Sequence, residues 1–439
     1  MTQADSNIRP PPDAEIVEIA DYVYDYKPPE YNHAVDWDFR GANTRRMTHG
    51  MHPYPAMMIP QIPERLLTIY GSKAKLLFDP YCGSGSSLLE ANIRGINAVG
   101  TDLNPLARLI ALAKTGRINC QKTARHIRDF NRKLANVCRA HPPPPFKNID
   151  FWFSPKAQRD LAYARDLINE IEDSGIRRFF GVAFSETVRE CSYTRNGEFK
   201  LYRMAAAKME EFSPDVFGAI SAKLARNLEG MKQYVNSVKN PGHTRVFGFN
   251  TVNDIPHKYL EGEPADIVIT SPPYGDSKTT VAYGQFSRLA NEWLEFEKPS
   301  AVDRSLMGGV PSKNGDASLG CELLDAAIAR IGEQSPVRAR EIRAFYEDYR
   351  QSIAHVATAI KPGGYACYVV GNRKSKGVEL PTDCATKSFF SENGFIIADT
   401  YVRNIPNKRM PSKNSPSNVP GVCDTTMQRE HIIVMQRKN

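Results

Sequence analysis

Residues 75–86 read "KLLFDPYCGSGS". The first half is a short apolar run, as expected of a strand buried on both faces, and it breaks into a turn carrying Gly83 and Gly85. A helix should follow: "SLLEANIRG" (87–95) has Ser87 and Glu90 at capping-box spacing and closes on Gly95. The next strand, "NAVGTD" (97–102), ends on Asp102, and a second helix starts at Pro105 with Asn104 placed to cap it. Strand, helix, strand, helix in that order predicts a parallel sheet with right-handed crossovers.

The pattern resumes far downstream. "TRVFGFNTVND" (244–254) and "DIVIT" (266–270) read as strands, and "FYEDYRQSIAHVATAI" (345–360) reads as a helix. A turn at "KPGG" and the strand "YACYVVGN" (365–372) come next. Two last apolar runs, "GFIIADTYVRN" (394–404) and "EHIIVMQRK" (430–438), suit an antiparallel pair at the edge of the sheet. The fold class is therefore α/β, one doubly wound, mostly parallel sheet of seven strands with an antiparallel edge strand. Two segments interrupt it: a helical insertion at 120–242 and a second at 281–340. Residues 1–45 form an acidic, proline-bearing lead-in, and 46–439 form the domain.

Composition sets limits. The chain has 439 residues, 41% hydrophobic and 24% charged, enough to bury a sizeable core. No apolar run approaches the length of a spanning helix and the N-terminus has no signal-peptide character, so no membrane partner is expected and the cytoplasm is the default location. The eight cysteines are scattered without a C-x-x-C pair, so neither a metal site nor a disulfide framework is expected. A net charge of +8 is compatible with a polyanionic partner.

Ligands in doubly wound sheets bind beyond the carboxyl ends of the strands. Asp79, Tyr81, Cys82, Gly83, Ser84 and Gly85 lie at one such end, where glycines let backbone approach a ligand. Asp102 ends the neighbouring strand, placed to accept from ribose hydroxyls while Asn104 serves the helix. A third strand end reads "TSPPYGDSK" (270–278). Two consecutive prolines cannot sit in a central strand, so the strand stops abruptly in a stiff loop that presents Ser271 and Tyr274.

Together, "FDPYCGSGS", "GTDLNPLA" and "TSPPYGDS" resemble the amino-methyltransferases that use S-adenosylmethionine on exocyclic amines of bases. The nearest resemblance is to the DNA cytosine-N4 methyltransferases of restriction–modification systems. It covers the two α/β blocks and implies a Rossmann-like class I methyltransferase fold. It also implies that Asp79 and the loop Tyr81, Cys82, Gly83, Ser84, Gly85 surround the methionine moiety, that Asp102 holds the ribose, and that Asp254 faces the adenine amine. "HPYPAMMIPQIP" (52–63) looks like the family's additional cofactor-contacting segment.

The same resemblance gives the proline loop its chemistry. A conjugated exocyclic amine is a poor nucleophile; acceptors on its two N–H groups, Ser271 Oγ and the carbonyl of Pro272, would free its lone pair. Pro272 and Pro273 would hold these acceptors rigid, and Tyr274 would stack on a base flipped out of the duplex. No metal is required. The implied partners are double-stranded DNA carrying a specific target sequence and a companion restriction endonuclease not held in stable complex. Adenine-N6 methylation, RNA guanine methylation and non-catalytic nucleic-acid binding are the alternatives; serine at 271, rather than Asp or Asn, favours cytosine. The two insertions are the candidates for target recognition. Within the first, "SYTRNGEFKLYRM" (192–204) interleaves Arg195, Lys200 and Arg203 with aromatic residues. "RNIPNKRMPSKNSPSN" (403–418) offers further basic and amide groups for phosphate contact.

Overall fold

Strand β1 (Leu76–Asp79) lies at the centre of the sheet because nothing in it tolerates water: Leu77 and Phe78 are fully buried. In the computed structural model, residues 36–136, 141–195, 197–275, 281–297, 302–309, 317–405, 413–414, 424–425 and 427–439 are described. β1 is flanked in parallel by β2 (Asn97–Thr101) and β4 (Ala265–Thr270), with β3 (Thr244–Phe247) outside β2 and β5 (Ile360–Val370) beside β4. β6 (Phe395–Asn404) and β7 (Arg429–Arg437) complete a seven-stranded sheet of order β3-β2-β1-β4-β5-β7-β6.

The expected seven strands are present, with one difference. The last two runs form the expected antiparallel pair at the edge, but the strand that runs antiparallel is one in from the rim: β7 inserts between β5 and β6, antiparallel to both, and β6 forms the rim. Burial explains the placement. Ile432, Ile433, Val434 and Met435 in β7 are buried on consecutive positions, whereas β6 leaves Ile396 and Ile397 exposed. A run apolar on both faces belongs inside a sheet.

The helices of eight residues or more are α1 (Gln61–Ile69), α2 (Ser86–Ile93), α3 (Pro105–Thr115), α4 (Cys120–Leu134), α5 (Pro155–Asn169), α6 (Ser174–Glu190), α7 (Val216–Ser237), α8 (Tyr283–Trp293), α9 (Glu322–Gln334), α10 (Pro336–Thr358) and α11 (Thr382–Glu392). Helices α4 to α7 fall in the first insertion. They share one apolar cluster with α3 and α8, in which Trp293 is fully buried against Phe146, Phe153 and Phe184. Helices α9 and α10 pack on the other face with α11. No described helix is long and apolar enough to cross a membrane.

Strand order reverses between β1 and β4. Their connections leave on opposite faces of the sheet, which opens a crevice beyond their carboxyl ends. Asp79 and Thr270 are the last residues of these two strands.

Candidate active site

Asp79 ties the crevice together. Its side chain is buried and receives the Tyr81 N–H at 3.1 Å, the Thr270 hydroxyl at 2.5 Å and the Ser87 hydroxyl. Burial outweighs these three donors and pushes the carboxyl up to about 6. Ser87 is thus occupied with Asp79 rather than with a helix cap, and Glu90 is buried among Arg46, Arg94 and His49. The expected capping box does not form. Helix α2 instead starts at Gly85 with no side-chain cap.

Gly83 and Gly85 both have left-handed backbone, with φ of 48° and 79°. At Gly85 a Cβ would also lie 2.9 Å from that of Ala111 in α3, so glycine is required there twice over. The turn they form brings the Gly83 N–H to Asp102 Oδ2 at 3.0 Å, while Asp102 Oδ1 accepts from the Asn104 N–H at 2.7 Å. Burial raises the Asp102 carboxyl to about 6 as well. Asn104 caps α3 by accepting from Leu106 N–H, as expected, and donates to the hydroxyls of Tyr54 and Ser287.

One solvent-open cleft gathers these elements. Asp79, Tyr81, Cys82, Gly83, Ser84 and Asp102 line it, and so do Tyr54 to Met58 from the segment ahead of α1. Ser271 and Pro273 enter from the end of β4, beside Tyr283 of α8, whose ring stacks on Tyr54 with centroids 6.0 Å apart. Segments distant in sequence thus reach one cavity.

Asp254 is not brought in. It is exposed, and its carboxylate is used by the Ile255 N–H at 2.8 Å. The chain passes the cleft a few residues earlier, through Phe249, Asn250 and Thr251. An acid ahead of a strand is the visible signal in the sequence; the loop that actually faces the cavity carries only an aromatic ring, an amide and a hydroxyl.

Around Ser271 the arrangement goes beyond the sequence reading. Ser271 Oγ lies 3.1 Å from the Val369 carbonyl and 3.1 Å from the Tyr274 hydroxyl. Tyr274 donates to Glu430 Oε1 at 2.9 Å, and Glu430 is held from its other oxygen by Arg403 at 2.5 Å. Burial and the Glu430 charge raise the Tyr274 phenol well above its ordinary range, so it acts as a neutral donor. Tyr274 stands behind Ser271 rather than among the residues lining the cleft. Arg403, expected at the start of a phosphate-contacting loop, is buried and ion-paired instead. Glu430 and Arg403 face each other directly in the β7–β6 register, a cross-strand pair that becomes legible once those strands are paired.

Of the interleaved stretch in the first insertion, Thr194 bridges Arg203 in antiparallel fashion. The Arg203 guanidinium lies 4.0 Å over the exposed ring of Phe151, and Arg195 lies 5.9 Å over that of Tyr202, also exposed. The Leu201 N–H reaches Gln285 of α8 at 3.3 Å, which fastens this ribbon to the helix that carries Tyr283. Asp276 to Lys278, and most of the stretch 403–418, lie outside the described residues.

Comparison with known proteins gives a relative along nearly the whole chain. The type II methyltransferase M.MvaI of Kocuria varians is 37% identical over 428 residues, 91% of this chain and 93% of that protein. The type II methyltransferase M.MjaII of Methanocaldococcus jannaschii is 28% identical over 191 residues, 42% of this chain and 34% of its own. No family model matches. Among solved structures, the rRNA methyltransferase aviRa of Streptomyces viridochromogenes overlaps 87% of this chain and 86% of its own at 11% identity, with a TM-score of 0.30, too loose a superposition to bear on function.

Proposed function

This chain belongs to the type II methyltransferases, and from that premise we propose that it transfers the methyl group of S-adenosylmethionine to the N4 amine of cytosine in double-stranded DNA. It does so as the protective enzyme of a restriction–modification system, in the cytoplasm, with a companion endonuclease that acts on the same DNA sequence without a stable complex. The observation that carries this reading is convergence. The glycine loop, Asp102 and the Ser271–Pro273 loop share one cleft at the switch point of the sheet.

The residues present suit the cofactor. Left-handed glycines leave the loop backbone open to close approach, and the uncapped start of α2 offers N–H groups to an anionic end. The Asp102 carboxylate, after accepting two backbone N–H bonds, retains acceptor capacity for ribose hydroxyls. Phe249 and Asn250 take the place assigned to Asp254 beside the adenine. Bound there, S-adenosylmethionine supplies a methyl group on a sulfonium centre.

Ser271 does its work as an acceptor. Its one proton is shared between the Tyr274 hydroxyl oxygen and the Val369 carbonyl, which leaves oxygen lone pairs for an N–H of the flipped cytosine. The Pro272 carbonyl accepts the second N–H. Both acceptors are preorganised, so the amine lone pair is freed without reorganisation at the moment of transfer. The nitrogen gains the methyl carbon and loses one proton to a neighbouring acceptor or water. A neutral serine, in place of an acid or amide, supports cytosine as the target. The insertions 120–242 and 281–340 are assigned to target recognition.

The test is chemical. DNA treated with the enzyme, digested and examined by mass spectrometry, should contain N4-methylcytosine. N6-methyladenine would overturn the base assignment, and no methylated base in any DNA or RNA offered would overturn the enzymatic reading. Ser271→Ala should retain binding while turnover falls by about 10²–10³, the scale of losing one preorganised donor or acceptor.

A further inference from the structure

Lys114, in the last turn of α3, is fully buried, yet among the described residues its ammonium group meets no carboxylate. Its Nζ lies 3.1 Å from Ser84 Oγ and 3.8 Å from Met57 Sδ, and both of those residues line the cleft. Burial alone draws the amine down to about 7.

The surroundings make this charge harder to explain as a structural device. Glu90, the acid of that neighbourhood, is consumed by Arg46 at 2.7 Å, Arg94 at 2.8 Å and His49 at 2.9 Å. His49 and His52 are both held towards their neutral forms by burial, with Lys114 contributing to each. Both ring nitrogens of His52 lack a partner among the described residues. A buried cation without a counter-charge is costly unless something negative arrives to meet it. Ser84 marks where that would be. It stands between the Lys114 ammonium and the cleft, next to the uncapped start of α2, whose Ser86 and Ser87 also face the cavity. Two independent sources of positive potential meet at one hydroxyl.

We propose that Lys114, acting beside and through Ser84, provides the charge that receives the α-carboxylate at the methionyl end of S-adenosylmethionine. The inference rests on reading the cleft as the cofactor's. It explains a buried, unpaired ammonium as half of an ion pair that the cofactor completes. Lys114 is then a determinant of which adenosyl sulfonium the enzyme accepts.

The test compares S-adenosylmethionine with its decarboxylated form by titration calorimetry, on the wild type and on Lys114→Met. The wild type should prefer the carboxylate-bearing form. In Lys114→Met that form should bind roughly 10- to 100-fold more weakly, the scale of a charge-assisted hydrogen bond to a buried group. Decarboxylated S-adenosylmethionine should bind within about twofold of wild type, as expected for a ligand without the group that Lys114 meets. The ligand-free variant should melt no lower than the wild type, since an unpaired buried charge has been removed; a purely structural lysine would lower it. Ser84→Ala should reduce the preference in the same direction, and it carries the test if Lys114→Met does not fold. An undiminished preference in either folded variant would overturn the proposal and leave the cofactor assignment standing. A wild type that binds neither compound would overturn the cofactor assignment and this proposal with it.

Discussion

The hydroxyl of Thr270 donates to Asp79 Oδ1 at 2.5 Å, so the strand ahead of the proline loop and the strand ahead of the glycine loop end on one carboxylate. The proposed cofactor and base sides of the cleft are therefore joined by a buried side-chain bond at the end of the β1–β4 ladder. Thr270→Val preserves shape and removes the donor. It should weaken cofactor binding and slow methyl transfer together, with a stability loss on the order of 1–3 kcal/mol as the buried carboxylate loses one of its three donors. Parallel calorimetry, single-turnover kinetics and thermal melts check this; a variant that loses turnover alone would show that Asp79 does not couple the two loops.

Cofactor affinity should depend on pH through Asp102. Its carboxyl titrates near 6 because burial disfavours the charged form. The ionised carboxylate is the form that accepts from ribose hydroxyls, so the Asp102 contribution should be full above its pKa and fall as pH drops through it, while the contribution of the Lys114 ammonium, drawn down to about 7, should fall as pH rises through that value. Asp79 also titrates near 6 and its protonation acts in the same direction as that of Asp102 by loosening the glycine loop. Calorimetry from about pH 5 to about pH 8 covers the transition. Asp102→Asn should bind weakly throughout, with Asp79 leaving a residual fall on the acid side; wild-type affinity at neutral pH in that variant would refute the ribose assignment.

On the proposed base side, Glu430 supports the serine loop without lining the cleft. It holds the Tyr274 hydroxyl, which in turn stands 3.1 Å from Ser271 Oγ. Glu430→Gln and Tyr274→Phe should each slow methyl transfer by roughly 10-fold or more while leaving cofactor affinity near wild type, as expected for positioning groups in a preorganised site. The double variant should be little worse than either single one, because the two residues belong to one chain of hydrogen bonds. Additive losses would mean that they act separately.

The ribbon at 192–204 carries the prediction for DNA. Arg195→Ala, Lys200→Ala and Arg203→Ala combined should weaken DNA binding and flatten its salt dependence, by roughly 0.9 in log–log slope for each phosphate no longer neutralised. Fluorescence anisotropy at several salt concentrations measures the slope. An unchanged slope would move phosphate recognition elsewhere in the insertions.

Legibility follows periodicity. Strand β1, its glycine turn and Asp102 are readable because buried parallel strands are continuous apolar runs that stop at unmistakable residues. The seven strands are countable for the same reason, and so is the Asn104 cap. The capping box at Ser87 and Glu90 fails because a local pattern is overridden by tertiary partners, Asp79 for the serine and two arginines for the glutamate. Glu430, Arg403 and Lys114 leave no local trace. Each looks like an ordinary surface charge until distant elements are placed around it. Asp254 misleads in the opposite sense: it matches an expected position in sequence, but the loop turns before reaching it.

The position of β7 has a consequence for when the enzyme becomes active during its own synthesis. The interior strand of the sheet's second half, and the glutamate behind the serine loop, are both supplied by Arg429–Arg437. A nascent chain that has already made its glycine loop, Asp102 and Ser271 still has β5 unpaired along one side and Tyr274 without its acceptor. The residues proposed to hold the cofactor all precede β5 in the chain, although the ring of Tyr81 packs against Tyr368 of β5. A fully organised base site awaits the last strand. Since chains emerge at only about 5–20 residues per second, the proposed cofactor residues are made well before the glutamate that completes the serine loop.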